Sequence, residues 1–477
     1  MENIVFDVAV IGGGVVGASI FNAVAKSGYS CALIEKNTDV ATGASKANSG
    51  IVHAGFDAKT GTLKARFNVE GNKMLPEVCE RLGVPLKKIG AYVLGNNVDL
   101  IKGLLKRGMD NGVQNMCFLG KNDLKKAIPN VNTNINFGLF AEDTYIVNPY
   151  LLTICLVEEG IVNGGQLFLE YKTKKVSKEN GVFVLTDGNK TIYAKQLVNS
   201  CGAGYNEMAK LIGSETYPIV FRRGEYYILD NSEKDIVSSV IFPLPDAHSK
   251  GVLVTPTVDG NILVGPTSYD SDDSTITTED GLNEIRMKAN SLLNNIDLSK
   301  AIRIFSGVRS VVGEDFVIEK SKKVAGVVNL AGICSPGLTS APAIAKYVMG
   351  LLGQNYMPML RQEKIKPYLL LRNLDDKKIN QLIKKDHRYG KIVCKCERVS
   401  EGEIIDAINR PFRPTTTDAI KRRVRAGMGR CQGGFCLDKV VKILAKENGL
   451  KLNDIRKENN NSNWIVGDVK GGWNNEN

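Results

Sequence analysis

Four cysteines crowd a short stretch near the C-terminus as Cys394-x-Cys396 and Cys431-x4-Cys436, with 34 residues between the two pairs. Thiolates on two short loops can hold one soft metal centre, and the spacing alone suits either a [2Fe–2S] cluster or a tetrahedral zinc. At the other end of the chain, Gly12-x-Gly14-x-x-Gly17 follows an apolar run at residues 6–11. The first two glycines let backbone N–H groups approach a pyrophosphate, and Gly17 lets the following helix pack on the strand. Glu35 lies 18 residues beyond Gly17, where its carboxylate can accept both hydroxyls of a ribose. His53 is one of only three histidines, and its residue type titrates in the range a general base needs.

These residues need elements to hold them. Residues 6–11, an amphipathic segment to about Lys26 and residues 30–34 read as strand, helix and strand around the glycine turn. The middle of the chain mixes apolar alternation at 181–186, 252–255 and 262–264 with helical patterns. That mixture suits an antiparallel sheet forming a second domain over the substrate. Residues 327–332 read as a return strand, followed by Pro336-Gly337-Leu338-Thr339-Ser340 and a helix over 341–352. The polar stretch at 375–391 reads as a linker. A short helix is expected after Ser400 and another after Thr417, and the Asn-rich residues 459–463 and 473–477 are expected to be poorly ordered.

A chain of 477 residues with 43% apolar content can support about two or three ordinary cores. The net charge of +11 is spread along the chain apart from the run Lys421-Arg422-Arg423-Val424-Arg425. Dispersed charge of this kind is a solvated surface, so no nucleic-acid partner is expected. The first apolar run is broken by three glycines and lacks a basic leader, and no stretch reaches the roughly 18 apolar residues of a transmembrane helix. A cytoplasmic location is expected, with room for peripheral membrane association. Cys31, Cys79, Cys117, Cys155, Cys201 and Cys334 are scattered singly and read as buried small hydrophobes, not disulfides.

The glycine fingerprint does not separate FAD from NAD; the downstream loops do. The small-residue loop 41–55, ending Asn48-Ser49-Gly50-Ile51-Val52-His53-Ala54-Gly55, resembles the FAD-contacting segment of the D-amino-acid-oxidase-like superfamily. So do Asn199-Ser200-Cys201-Gly202-Ala203-Gly204 and Ala331-Gly332-Ile333-Cys334-Ser335-Pro336-Gly337-Leu338-Thr339. The resemblance spans most of residues 1–365 and implies FAD. It places the nucleotide on Gly12, Gly14, Gly17, Glu35, Lys36, Thr42, Ser45, Val176, Cys201, Gly202 and Ala203. The ring system falls on Asn48, Ser49, Gly50, Gly332, Gly337, Leu338 and Thr339.

Within that superfamily, residues 48–55, 61–66, 222–227 and 251–257 resemble the branch containing L-2-hydroxyglutarate oxidases and bacterial glycerol-3-phosphate oxidases and dehydrogenases. The likeness implies a small anionic alcohol as substrate. His53 is then the candidate base, with flavin packing as its bland alternative. Arg309 occupies the superfamily's substrate-anion position, where its planar fork suits phosphate or carboxylate. Lys250 and Arg223 are second candidates, each equally readable as a solvated charge, and His248 and His387 receive no role. The cysteine segment resembles the [2Fe–2S] domain of bacterioferritin-associated ferredoxins. It favours the cluster over a structural zinc, with Gly427, Gly429, Gly433 and Gly434 shaping its loops.

The expected fold is an α/β FAD-binding Rossmann-type domain with an antiparallel-sheet (α+β) substrate domain, plus a small helical [2Fe–2S] domain. Residues 1–365 would form the flavoprotein, with FAD-binding parts at about 1–90, 145–215 and 325–365 and the substrate sheet at 90–145 and 215–325. A linker would follow at 366–390, then the cluster domain at 391–455 and a disordered tail at 456–477. A reduced flavin carries two electrons and a [2Fe–2S] cluster accepts them singly. The expected activity is therefore a glycerol-3-phosphate dehydrogenase with a protein or quinone acceptor, not an oxidase. The 421–425 run offers a dock for that acceptor, although a solvated helix face is the favoured reading. The alternatives are an L-2-hydroxyglutarate (2-hydroxyacid) dehydrogenase or oxidase, an amino-acid or opine dehydrogenase, and a non-catalytic electron-transfer subunit.

Overall fold

Strand Val5–Ile11 enters the glycine turn, helix Val15–Lys26 leaves it, and strand Cys31–Ile34 returns parallel to the first. The computed structural model describes residues 4–245, 251–272, 274–358 and 360–467. The helix is buried along almost its whole length because helices Pro149–Val162 and Gly337–Leu351 pack against it. Together these helices and the adjoining strands enclose a core that includes Val8, Phe21, Leu33, Leu152 and Ile344. Each such side chain contributes roughly 1.5–3 kcal/mol by leaving water.

The strands around the turn belong to an eight-stranded sheet in the order Lys175–Glu179, Val182–Thr186, Thr191–Asn199, Val5–Ile11, Cys31–Ile34, Gln166–Phe168. The long strand Thr191–Asn199 serves two further neighbours. Its first half pairs antiparallel with Val182–Thr186, and its second half pairs parallel with Val327–Ala331. Strand Val317–Lys320 adds antiparallel to that return strand. The first sheet therefore reclaims the chain at 317, earlier than the 325 read from the sequence.

A nine-stranded sheet covers the other side, with Val220–Leu229 paired to Ala301–Val311, Ile262–Gly265 and Tyr269–Ser271. It is antiparallel except at one junction, where Val240–Pro243 runs parallel to Ala91–Gly95. Alternation in sequence sets which face a side chain takes, not the direction of the neighbouring strand, so this junction left no signal.

The C-terminal part has its own core of Ile404, Ile408, Ile420, Val440, Leu444 and Ile455. A hairpin of Ile392–Cys394 and Val399–Ser400 leads into helix Glu401–Ile408, whose start is fixed by a Ser400–Glu403 capping box. Helices Thr417–Val424 and Leu437–Asn448 complete it. The stretch 366–390 is more than a linker: it carries helix Asp376–Lys385, and Leu370 joins the C-terminal core. Nor is 456–467 a loose tail. Arg456 bridges to Thr416 and Asn463, and Trp464 Nε1 donates to Thr417 Oγ1 at 3.0 Å. Asparagine-rich composition concealed a turn tied down by side-chain hydrogen bonds; residues 468–477 lie outside the described ones.

Of the single cysteines, Cys31, Cys79 and Cys155 are buried and Cys201 and Cys334 partly so, but Cys117 is exposed, on the outermost strand Met116–Gly120. Among the described residues no helix is long and apolar enough to cross a membrane.

Candidate functional site

At the glycine turn the backbones are too close for side chains. A Cβ on Gly17 would lie 2.0 Å from the Gly12 carbonyl oxygen, and one on Gly12, at φ +108°, would lie 2.6 Å from that of Ser200. Helix Val15–Lys26 begins without a side-chain cap, so its first amides face outward, and one of them, Val15 N–H, donates to Ser45 Oγ at 2.9 Å. Such a turn is a cradle for pyrophosphate. The buried Glu35 accepts N–H bonds from Gly13 at 2.8 Å and Asn37 at 2.9 Å. Burial pushes its carboxyl up despite those donors. Cys201 and Val176 pack on the same core cluster, and the Cys201 thiol senses the Glu35 charge, while Lys36 beside Glu35 is exposed. Gly202 and Ala203 lie exposed in the 3-10 turn that follows Cys201. Thr42 is held by Asn37 Nδ2 at 2.8 Å. The donor set and the missing side chains fit FAD.

The loop that would lie against the flavin ring is drawn tight by its own polar groups. Asn48 Nδ2 donates to the Ala44 carbonyl at 2.9 Å, and Asn48 Oδ1 accepts from Gly50 N–H at 2.8 Å. A Cβ on Gly50, at φ +67°, would lie 2.6 Å from the Val147 carbonyl oxygen. His53 follows directly. Its N–H donates to Thr339 Oγ1 at 3.0 Å, and its carbonyl accepts from Asn68 at 2.8 Å and Asn72 at 3.0 Å. Both asparagines are buried on helix Leu63–Leu82, and no local pattern in the sequence marks them as partners of His53. The imidazole Nε2 lies 3.5 Å from Ser335 Oγ, and the ring sits 5.9 Å from that of Phe242. Thr339 comes from the first turn of helix Gly337–Leu351, which also lacks a side-chain cap and opens with Gly337 and Leu338. Gly332, at φ +67°, closes against Val312.

On the nine-stranded sheet, Arg309 pairs across from Arg222, so the two share a face with Gly224, Tyr226 and Phe305. Arg309 Nη2 donates to the Thr267 carbonyl at 3.1 Å, and the bare Gly224 leaves it room. Tyr226 is buried, stacks on Phe305 at 4.7 Å and 5°, and hydrogen-bonds Ser49 of the flavin loop. Burial raises its phenol although Arg309 opposes the shift. Tyr226 was missed as a site residue because its role depends on a strand partner far away in sequence.

Arg223 does not join this group. Alternation turns it to the opposite face, where it pairs at 3.2 Å with Glu225, a residue with no exposed surface that also accepts from Thr278 at the start of helix Glu279–Leu292. The structure therefore does not bring Arg223 to the face that carries Arg309. Lys250 lies outside the described residues.

The four C-terminal thiols come together as two couples. Cys396 Sγ and Cys431 Sγ are 3.7 Å apart, and Cys394 shares a hydrogen bond with Cys436. Among the described residues no three His, Cys, Asp or Glu side chains gather closely enough to hold a single metal ion. Two couples suit a centre in which each of two irons takes two sulfurs better than one tetrahedral ion. The Cys436 hydrogen bond and the N–H groups of Gly427 and Glu397 bring the Cys394 thiol down to about 6 despite burial. Burial works against Cys431 too, but amides including Gly433 and Gly434 lower it. Gly429 is obligatory here: its Cβ would lie 2.3 Å from that of Cys396.

The run 421–425 proves neither a solvated face nor a dock for a partner. Arg422, Arg423 and Arg425 are all buried. Arg422 and Arg423 each reach Asp39 at 2.9 Å, next to the nucleotide site. Arg425 bonds Asp259 of the flavoprotein at 3.0 Å and Glu397 of the cysteine domain at 2.7 Å, and Arg372 also reaches both carboxylates. Glu158 takes Arg410 and Tyr368, and Lys46 of the flavin loop pairs with Glu458 at 2.6 Å. Charges with scattered partners look surface-bound in a sequence; only the fold reveals that they face buried carboxylates. Between the two bodies lies a cavity of about 430 Å³, with Ser49 and Phe305 on one side and Arg425, Met428 and Gln432 on the other.

A nucleotide cradle of this build, locked to a thiol-bearing domain, defines a flavoprotein oxidoreductase with two redox centres. The chain belongs to the FAD dependent oxidoreductase family, whose model matches residues 7–351, and residues 392–446 match the BFD-like [2Fe–2S] binding domain. It binds FAD and carries a [2Fe–2S] cluster. It is similar to a glycerol 3-phosphate dehydrogenase of Caloramator mitchellensis, 41% identical over 98% of this chain and 99% of that protein. Its fold matches the FAD-bound L-alpha-glycerophosphate oxidase of Mycoplasma pneumoniae with a TM-score of 0.73 and 29% identity, over 77% of this chain and 100% of that one. It is also similar to a mouse mitochondrial L-2-hydroxyglutarate dehydrogenase, 30% identical over 54% of this chain and 59% of that protein.

Proposed function

We propose that this chain oxidises sn-glycerol 3-phosphate to dihydroxyacetone phosphate and passes the electrons to a protein acceptor. One observation carries the reading: the 41% identity to a glycerol 3-phosphate dehydrogenase runs through both modules, almost end to end in each chain. The likeness to an L-2-hydroxyglutarate dehydrogenase covers only 54% of this chain, so that substrate is the weaker reading.

The residues have assignable tasks. Arg309 holds the phosphate with the part of its fork that Thr267 leaves open. His53 takes the hydroxyl proton at Nε2, its main chain fixed by Thr339, Asn68 and Asn72 so that the ring keeps its direction. Tyr226 and Ser49 tie the Arg309 face to the loop bearing His53. Cys394, Cys396, Cys431 and Cys436 hold the cluster. When bound, FAD accepts the hydride and the cluster provides a one-electron outlet.

Anaerobic mixing of the purified holoprotein with sn-glycerol 3-phosphate, L-2-hydroxyglutarate or glycine separates the readings. Flavin bleaching is expected with the first alone. Bleaching only by the hydroxyacid or the amino acid would reassign the substrate, and none with any of the three would leave the chain an electron-transfer subunit.

A further inference from the structure

The loop between Cys431 and Cys436 presents Phe435 with 82% of its surface exposed. A phenylalanine left in water forgoes roughly 1.5–3 kcal/mol of burial, and exposed aromatics are frequent anchors of protein interfaces. The surroundings point the same way. Cys396 is exposed while its sulfur touches that of Cys431, so one edge of the thiol set reaches the surface beside this loop.

Exposed basic side chains flank both pairs of cysteines. Lys395, between two of the cysteines, Arg398, just after them, and Lys439, on the first turn of helix Leu437–Asn448, are all exposed. The acidic groups close by are already engaged. Glu397 is buried against Arg372 and Arg425, Glu401 pairs with Lys391 at 3.5 Å, and Asp438 faces Lys442 at 3.9 Å. Arg430 is taken by Asp230 at 2.8 Å. The buried run 421–425 offers no alternative dock, since three of its four basic residues point inward.

Resting on the dehydrogenase reading above, we propose that Phe435 with Lys395, Arg398 and Lys439 is the docking surface for an acidic protein that carries one electron at a time. The aromatic ring packs beside the carrier's cofactor edge, and the basic collar steers the carrier in. Each transfer moves one electron across the Cys396–Cys431 edge and reduces one carrier, so two carriers leave for every substrate molecule oxidised. A membrane surface is a poorer match: the apolar feature is one ring at the thiol set, not an amphipathic helix face.

The test uses holoprotein reduced with dithionite and desalted, mixed with cytochrome b5 as the acidic probe or cytochrome c as the basic one. Cytochrome b5 reduction should be about tenfold faster than that of cytochrome c at low ionic strength, with the advantage fading as salt rises. Phe435→Ala and Lys439→Glu should each slow it about tenfold and weaken cytochrome b5 binding in titration calorimetry, with flavin bleaching by substrate unchanged. Equal rates for the two probes at every salt concentration would overturn the proposal. So would wild-type binding in both variants, or sedimentation with anionic vesicles while Phe435→Ala leaves cytochrome b5 reduction intact. Because the reductant is chemical, failure of glycerol 3-phosphate to bleach the flavin would count against the substrate reading without touching this one.

Discussion

The flavoprotein body and the cysteine domain hold their cofactors in opposite ways. The candidate FAD cradle is built from backbone at the Gly12 turn, the 41–50 loop and the start of helix Gly337–Leu351, segments more than 300 residues apart. The cysteine domain uses four side chains on two loops, brought together within one small core. A backbone site depends on many approaches and loses little when one side chain is shortened. A side-chain site fails with the loss of a single atom. Between the two, buried arginines on Asp39, Asp259 and Glu158 fix the orientation that lets one centre serve the other.

That contrast can be broken from either side. Cys431→Ser has the largest expected effect, removing the thiolate-to-iron absorption altogether while glycerol 3-phosphate still bleaches the flavin. Loss of flavin along with iron would show that the two sites fold as one. His53→Ala acts in reverse. FAD and iron absorption should remain, with bleaching slowed by about 10²–10⁴-fold, and an unchanged rate would remove His53 from the chemistry.

Smaller effects test the seam. Asp39→Asn removes the carboxylate charge that Arg423 and Arg422 share, leaving Arg423 buried without its ion-pair partner, a cost of about 3–5 kcal/mol that should appear as a lower Tm. Acid should do the same gradually. Burial alone would raise the Asp39 carboxyl, but Arg423 and Arg422 outweigh it and hold the group below its usual range; Arg422 and Lys46 do the same for Glu458. A carboxylate depressed in the fold stabilises above its unfolded pKa, about 4, and that contribution disappears as pH falls through the folded value. Thermal stability measured from pH 6 to pH 3 should therefore decline at the acid end, and less steeply in Asp39→Asn.

Local chemistry made much of this molecule readable. The Gly12–Gly17 turn, Glu35 and the C-x-C with C-x4-C pattern act through neighbours in sequence, so spacing alone exposes them. The short helix expected after Ser400 is present as Glu401–Ile408. The sequence could not separate Arg223 from Arg309, because strand alternation gives two faces without saying which residues share one. The 456–464 segment misled because composition does not register a Trp464–Thr417 hydrogen bond.

The sequence by itself determined a nucleotide turn, a four-thiol set and candidate residues such as His53 and Arg309, because those depend on side-chain chemistry at short spacing, while the resemblance of its loops to known families implied the two cofactors and the class of reaction. The tertiary structure alone decided that Arg309 and Tyr226 face the flavin loop while Arg223 turns away. It also decided that the 421–425 run is a buried clasp, leaving Phe435 and its basic neighbours as the surface beside the thiols. The physical reason is the same in each case: strand pairing and domain docking join groups hundreds of residues apart, and burial then changes what a charge or a ring can do.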